Sequence, residues 1–189
     1  MIPGSSSICA ALLVIATSAG ALGTQHVNPH TQVLEDFEAR IRQYTRIQQQ
    51  AETRLPALKP TDAPEKIRNH EQLLAQAIRR ERSQTKQGDV FAPEISREFQ
   101  RLIGIARRGS ETQHMRATLK HAEPVNLTLH VNDDYPENVQ LQTTPPTLLL
   151  NLPKLPPGLE YRVVGRTLVL RDTKANLIVD FIPNALSPI

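Results

Sequence analysis

The chain has no tryptophan and a single cysteine, Cys9. Aromatic residues make up only 4% of it, so the stacking platforms of single-strand nucleic-acid binders lack their raw material. Cys9 lies in an apolar stretch that reads as an export signal. Without that stretch the chain has no thiol, no disulfide and no cysteine-based metal site. There is no Gly-x-Ser-x-Gly elbow, phosphate loop, dinucleotide fingerprint or His-Glu-x-x-His pair. The catalytic classes that announce themselves by short motifs therefore have no signature here. With so few aromatics, the core is expected to be aliphatic, built from Leu, Ile and Val.

Charge is unevenly spread. Glu35 to Lys120 carries 17 Lys+Arg against 12 Asp+Glu, a net of +5. From Ala122 onward the count is 5 against 7, a net of −2. The basic half suits anionic surfaces, but an excess of this size over several helices is ordinarily a solvated face. Nucleic-acid readout would need more charge than this, and no cofactor is expected.

Ile8 to Leu22 is uncharged and rich in Ala, Leu, Ile and Val. It is shorter than the ~20 residues that span a bilayer as a helix. Ala19-Gly20-Ala21 and Ala21-Leu22-Gly23 then offer the small-x-small pattern of a signal peptidase site. Residues 1–23 are accordingly expected to be a signal peptide, cut after Gly23 to leave Thr24 first. Met1 to Ser7 lacks the usual basic residue, and an uncleaved anchor or a buried apolar helix are the alternatives. The expected location is the periplasm or outside the cell, with membrane contact only through this segment unless it stays uncleaved.

The next region, 24–122, is expected to be helical. Leu34, Phe37, Ile41, Tyr44, Ala51 and Leu55 form one apolar stripe on a helix over Thr31–Arg54, with Gln48 at its one polar position. Leu55 to Pro60 is a proline-punctuated joint. Asp62 and Glu65 have the spacing of a capping box for a second helix, with Ile67, Leu73, Leu74, Ala77 and Ile78 as its apolar face. That helix should end near Thr85 to Gly88. A third helix is expected over Pro93–Arg107, with Ile95, Phe99, Leu102, Ile103 and Ala106 inward. A shorter fourth, begun by Ser110 and Gln113, should reach His121.

From 123 to 189 the period changes. Val125, Leu127, Leu129 and Val131 alternate with polar residues and predict a strand, followed by a turn over Asp133–Pro136. Val139 and Leu141 suit a short second strand, and Pro145–Leu150 one or two helical turns. Leu152 to Gly158 holds three prolines in seven residues and should be an extended linker. Leu159–Val164, Thr167–Arg171 and Leu177–Ile182 predict a three-stranded meander, with Gly165-Arg166 as a tight turn. Its inward residues should be Tyr161, Val163, Leu168, Leu170, Leu177, Val179 and Phe181. The fold class is therefore α+β. An N-terminal antiparallel helical hairpin or small bundle is followed by a small antiparallel sheet that ends in a three-stranded meander.

Candidate chemistry is sparse. His114 and His121 share a helix face two turns apart, too far to chelate one ion. Asp133, Asp134 and Glu137 form an acidic loop without EF-hand spacing. Arg79, Arg80 and Arg82 make a basic patch at a helix end. Asp180, between Val179 and Phe181, should pair with Arg162 or Arg166 if it faces inward. A cut after Gly23 would place His26 third from a free amine. The amine, two amides and the imidazole could then hold Cu(II) or Ni(II) in a square plane.

Leu58 to Asp62, Lys86 to Phe91, Leu155 to Arg166, and Asp172 with Asn176 to Asp180 together resemble a group of uncharacterised exported bacterial proteins. That resemblance implies export and no assigned activity. Tyr161-Arg162-Val163, Leu168-Val169-Leu170 and Ile178-Val179-Asp180 are also similar to the tail of periplasmic nickel/cobalt-homeostasis proteins. The expectation is a non-enzymatic exported protein with an interaction or structural role toward a protein or envelope partner. A periplasmic metal-handling protein and a hydrolase with a dispersed catalytic constellation are the alternatives.

Overall fold

The computed structural model describes residues 28–106, 127–136 and 150–186. Three helices precede a three-stranded antiparallel sheet, the α+β arrangement expected from the sequence. The expected signal segment, the expected fourth helix, the expected short strand at Val139 and most of the helical turns expected from Pro145 fall outside the described residues. No described helix is long and apolar enough to cross a membrane.

Helix α1 spans Pro29–Thr53. Asn28 caps it, its side chain accepting from the His30 amide, and proline fills the first position, where no amide is needed. Phe37, Ile41, Tyr44, Gln48 and Ala51 are buried along one stripe. Helix α2 spans Pro64–Glu81 and α3 spans Pro93–Ala106; α1 packs against both.

Two details of α2 differ from expectation. Its cap is Ala63, with no side-chain hydrogen bond, so Asp62 and Glu65 do not form the capping box. The helix starts one residue later than that motif requires. It also ends at Glu81, and it buries Leu74, Ala75 and Ile78 while Ile67 and Leu73 stay exposed. Only its C-terminal half therefore reaches the core.

Strands β1 Leu159–Val164, β2 Thr167–Asp172 and β3 Leu177–Ile182 form the meander in sequence order. Val164 pairs with Thr167 across the two-residue turn, where Gly165 adopts φ +60°. Between β2 and β3 the register slips. Leu170 faces Asp180, but Arg171 faces Ile178, leaving Val179 as an extra residue on β3. This is a β-bulge, and it shifts the side-chain alternation by one. Leu177, Val179 and Ile182 consequently join the helix-facing core, whereas Phe181 turns to the opposite face. Placing Phe181 inward was the one error in the expected list; the other six residues are buried.

A second correction concerns the expected strand at Val125–Val131. Leu127 to His130 has no regular structure. Instead the supposed turn lies along the edge of β3. The Asn132 amide donates to the Ile178 carbonyl at 2.8 Å, and the Ile178 amide to the Asp133 carbonyl at 2.9 Å. The Tyr135 amide donates to the Asn176 carbonyl at 2.7 Å. Asn132 takes φ 69°, a left-handed conformation that asparagine tolerates and that ends strand geometry there. This segment covers the outer face of the sheet, where Leu129, Tyr135, Val164, Val169, Ile178 and Phe181 pack together.

The core is largely aliphatic, as expected, with an aromatic cluster set within it. Three of the four phenylalanines, Phe37, Phe91 and Phe99, meet there with ring centroids 4.8 to 5.8 Å apart. Tyr161 of β1 adds an edge contact to Phe99 at 6.0 Å. The few rings are concentrated where α1, α3 and the sheet converge, so their effect exceeds their number.

Candidate functional site

Two buried carboxylates tie the sheet to the helices. Asp172, at the end of β2, is fully buried. One of its oxygens accepts from Tyr44 Oη at 2.6 Å and from Gln48 Nε2 at 2.7 Å. The other accepts from the Lys174 and Ala175 amides. Gln48, the polar break in the α1 stripe, is thus the docking point of that helix on the sheet.

Asp180 is also fully buried, and it pairs with neither Arg162 nor Arg166. Among the described residues it accepts from backbone N–H groups only. Val90 and Phe91 each donate at 2.8 Å, Gly88 at 3.1 Å, and the amide of Phe181 at 2.8 Å. Gly88 has φ +93°, which lets the loop curl so that its amides converge. Such a cradle of successive N–H groups is a form of anion site. Here the chain fills it with its own carboxylate. Arg162 is engaged by Glu160, which also accepts from Arg171.

The basic patch on α2 is largely consumed in the same way. Arg82 is buried, lies 4.9 Å from the centre of the Tyr44 ring, and donates to Asn132 Oδ1 and the Val179 carbonyl. Burial lowers its pKa, and the neighbouring Tyr44, Asp180, Asp89 and Asp172 act to raise it. Arg79 reaches Asp134 at 2.6 Å and the Asn132 carbonyl at 2.8 Å. Arg80 stays exposed.

The acidic loop is split. Asp134 belongs to Arg79, and Asp133 lies 3.0 Å from His130 Nδ1. Glu137, His26, His114 and His121 lie outside the described residues. Among the described residues no group of three or more His, Cys, Asp or Glu is placed to hold a metal ion. Near the start of α1, His30 and Arg101 both contact the nearly buried Glu98. The Arg101 hydrogen bond holds the Glu98 carboxyl below its ordinary range, with His30 adding to it.

A cleft of about 320 Å³ lies between α1 and the proline-rich segment before β1. Phe37 and Ile41 form its floor and Pro156 one wall. Its rim carries Arg42, Arg46 and Lys154, with Glu38 as the one anion. Glu38 and Arg42 are 3.6 Å apart and both are exposed. Arg46 and Lys154 have no hydrogen-bond or ion-pair partner among the described residues. The sequence showed α1 as an amphipathic stripe. That Lys154 would line the same cleft as Arg46 was invisible in it, because only the fold brings their two segments to one cleft.

The chain's three tyrosines provide a direct check on this packing. Burial raises the pKa of each, and for Tyr44 the neighbouring Asp172 adds to it. In the unfolded chain tyrosines ionise near pH 10. Stability is therefore fully present below pH ~10 and falls as pH rises above it toward the folded-state values. Absorbance at the phenolate band should stay flat through the ordinary tyrosine range while the native fold persists, then rise in one step with alkaline unfolding. A tyrosine that titrates near pH 10 in folded protein would contradict the burial described here.

No family model, curated protein or solved structure matches the chain.

Proposed function

We propose that this is an exported, non-enzymatic binding protein of the periplasm or cell envelope, and that it engages its partner through the cleft beside α1. The observation that carries this reading is a contrast in how polar groups are used. Asp172, Asp180, Arg82, Tyr44 and Gln48 are all committed to joining one part of the chain to another. Arg46 and Lys154, by contrast, face solvent beside an apolar floor. Clefts of a few hundred Å³ that combine apolar lining with a few placed charges are the ordinary form of small binding sites. The N-terminal segment, with its small-x-small run, supports export.

Site-directed photocrosslinking in the native host tests the reading. A photoreactive residue at Arg46 should give a defined adduct in the envelope or periplasmic fraction. The same residue at Arg97, exposed on α3 and away from the cleft, should not. Equal labelling at both positions, or none at Arg46, would refute the cleft as the binding site. Terminal sequencing of the fractionated protein should begin at or near Thr24; an intact Met1 in the membrane fraction would make the segment an anchor.

A further inference from the structure

The loop that receives Asp180 is held in shape by contacts in which Asp180 has no part. Its turn closes on itself: the Asp89 amide donates to the Lys86 carbonyl at 3.2 Å, and the Lys86 amide to Asp89 Oδ2 at 3.1 Å. From α1, Arg40 Nη1 donates to the Asp89 carbonyl at 2.6 Å. From α3, the Ser96 hydroxyl donates to the Phe91 carbonyl at 2.9 Å. The side chains of Val90 and Phe91 are buried in the main core. Gly88 stands at φ +93°, a conformation that strains any residue with a side chain. The amides of Gly88, Val90 and Phe91 are thus aimed at one spot by the loop itself, and successive N–H groups converging in this way make a concavity for an anion.

We propose that the Gly88–Phe91 loop is a preorganised anion site, selective for a small carboxylate, and that Asp180 is its built-in ligand. The selectivity follows from the hydrogen bonds. Asp180 Oδ2 takes the Val90 and Phe91 amides at 2.8 Å each, and the Gly88 amide lies 3.1 and 3.2 Å from the two oxygens. A planar pair of oxygens serves all three donors. A spherical ion cannot reach them equally, and a neutral amide brings N–H groups where only acceptors are wanted. Charge matters as well. Buried Arg82 donates to the neutral Asn132 side chain and the Val179 carbonyl, so its charge is offset at longer range, in part by Asp180. Taking the Asp180 carboxylate away leaves both the amides and this cation short of an anion. Gly88 is half-buried and Asp89 exposed, so a small ion would enter from the loop surface without crossing the core.

The probe is formate, the group that Asp180→Ala deletes, titrated into that variant of the full chain at constant ionic strength. Anything that binds the folded state alone raises its stability by mass action. The melting temperature of Asp180→Ala should therefore rise saturably with formate. Chloride should need about tenfold higher concentration for the same rise, and the neutral formamide should give none. If the variant is unfolded on its own, recovery of its helical circular dichroism is read in the same titration. Asp180→Gly deletes a group one carbon longer, so it should prefer acetate to formate. The parent, with its site filled, should gain nothing from formate beyond the effect of chloride. Leu74→Ala, destabilised by a core cavity but with Asp180 in place, should behave as the parent does. Formate acting equally on Asp180→Ala and Leu74→Ala would overturn the proposal. So would chloride of equal potency, or no response of Asp180→Ala in either melting or refolding.

Discussion

Replacing Asp180 by alanine is expected to lower stability by ~2–5 kcal/mol, because it removes the acceptor of several buried backbone donors at once. The substitution leaves the Val90 and Phe91 amides without an acceptor, and weakens the hold on Gly88. A buried donor stripped of its partner costs ~1–3 kcal/mol on its own. Against a total of ~5–15 kcal/mol for an ordinary domain, such a loss takes much of the fold's margin. Asp180→Asn should recover part of it, since one carbonyl oxygen can still take the Val90 and Phe91 amides. Its NH₂ group, however, would face the N–H donors of Gly88 and Phe181. Urea denaturation of the three proteins measures the series. A loss under ~1 kcal/mol for alanine would mean that the loop finds other acceptors.

The second large effect is expected at Phe99. Its ring is fully buried and touches Phe37, Phe91 and Tyr161, so alanine there should cost ~3–5 kcal/mol through lost transfer energy and a cavity. Phe181→Ala should cost only about 1–2 kcal/mol, because its half-buried ring on the outer face gains part of the full burial energy. The ratio is the informative result. Equal losses at the two positions would place Phe181 in the main core and remove the bulge at Val179.

Much of this architecture was legible before the fold was seen, and the reason is periodicity. The α1 stripe and the three terminal strands repeat at helical and strand spacing, and burial follows those repeats closely. What escaped depends on long-range partners. A strict two-residue period through Val179, Asp180 and Phe181 cannot reveal that one residue is inserted against β2. Asp180 looked like half of an ion pair, since arginines are near in sequence and the amides that hold it are some ninety positions away. Gln48 was visible as a flaw in a stripe, but nothing local says that its partner is Asp172. The cleft was hidden for the same reason: one wall is helix α1 and the other a proline-rich segment far along the chain.

The two carboxylate anchors also constrain the order in which the molecule can be made. During synthesis the amides of Val90 and Phe91 emerge long before Asp180, and Tyr44 and Gln48 long before Asp172. Until β2 and β3 arrive, the growing helices have no counterpart for their buried polar groups and only part of their apolar cover. Such sequence-distant closures add loop entropy that must be met before the contacts form, which slows folding. The growing helices therefore stay open until both β2 and β3 have been made.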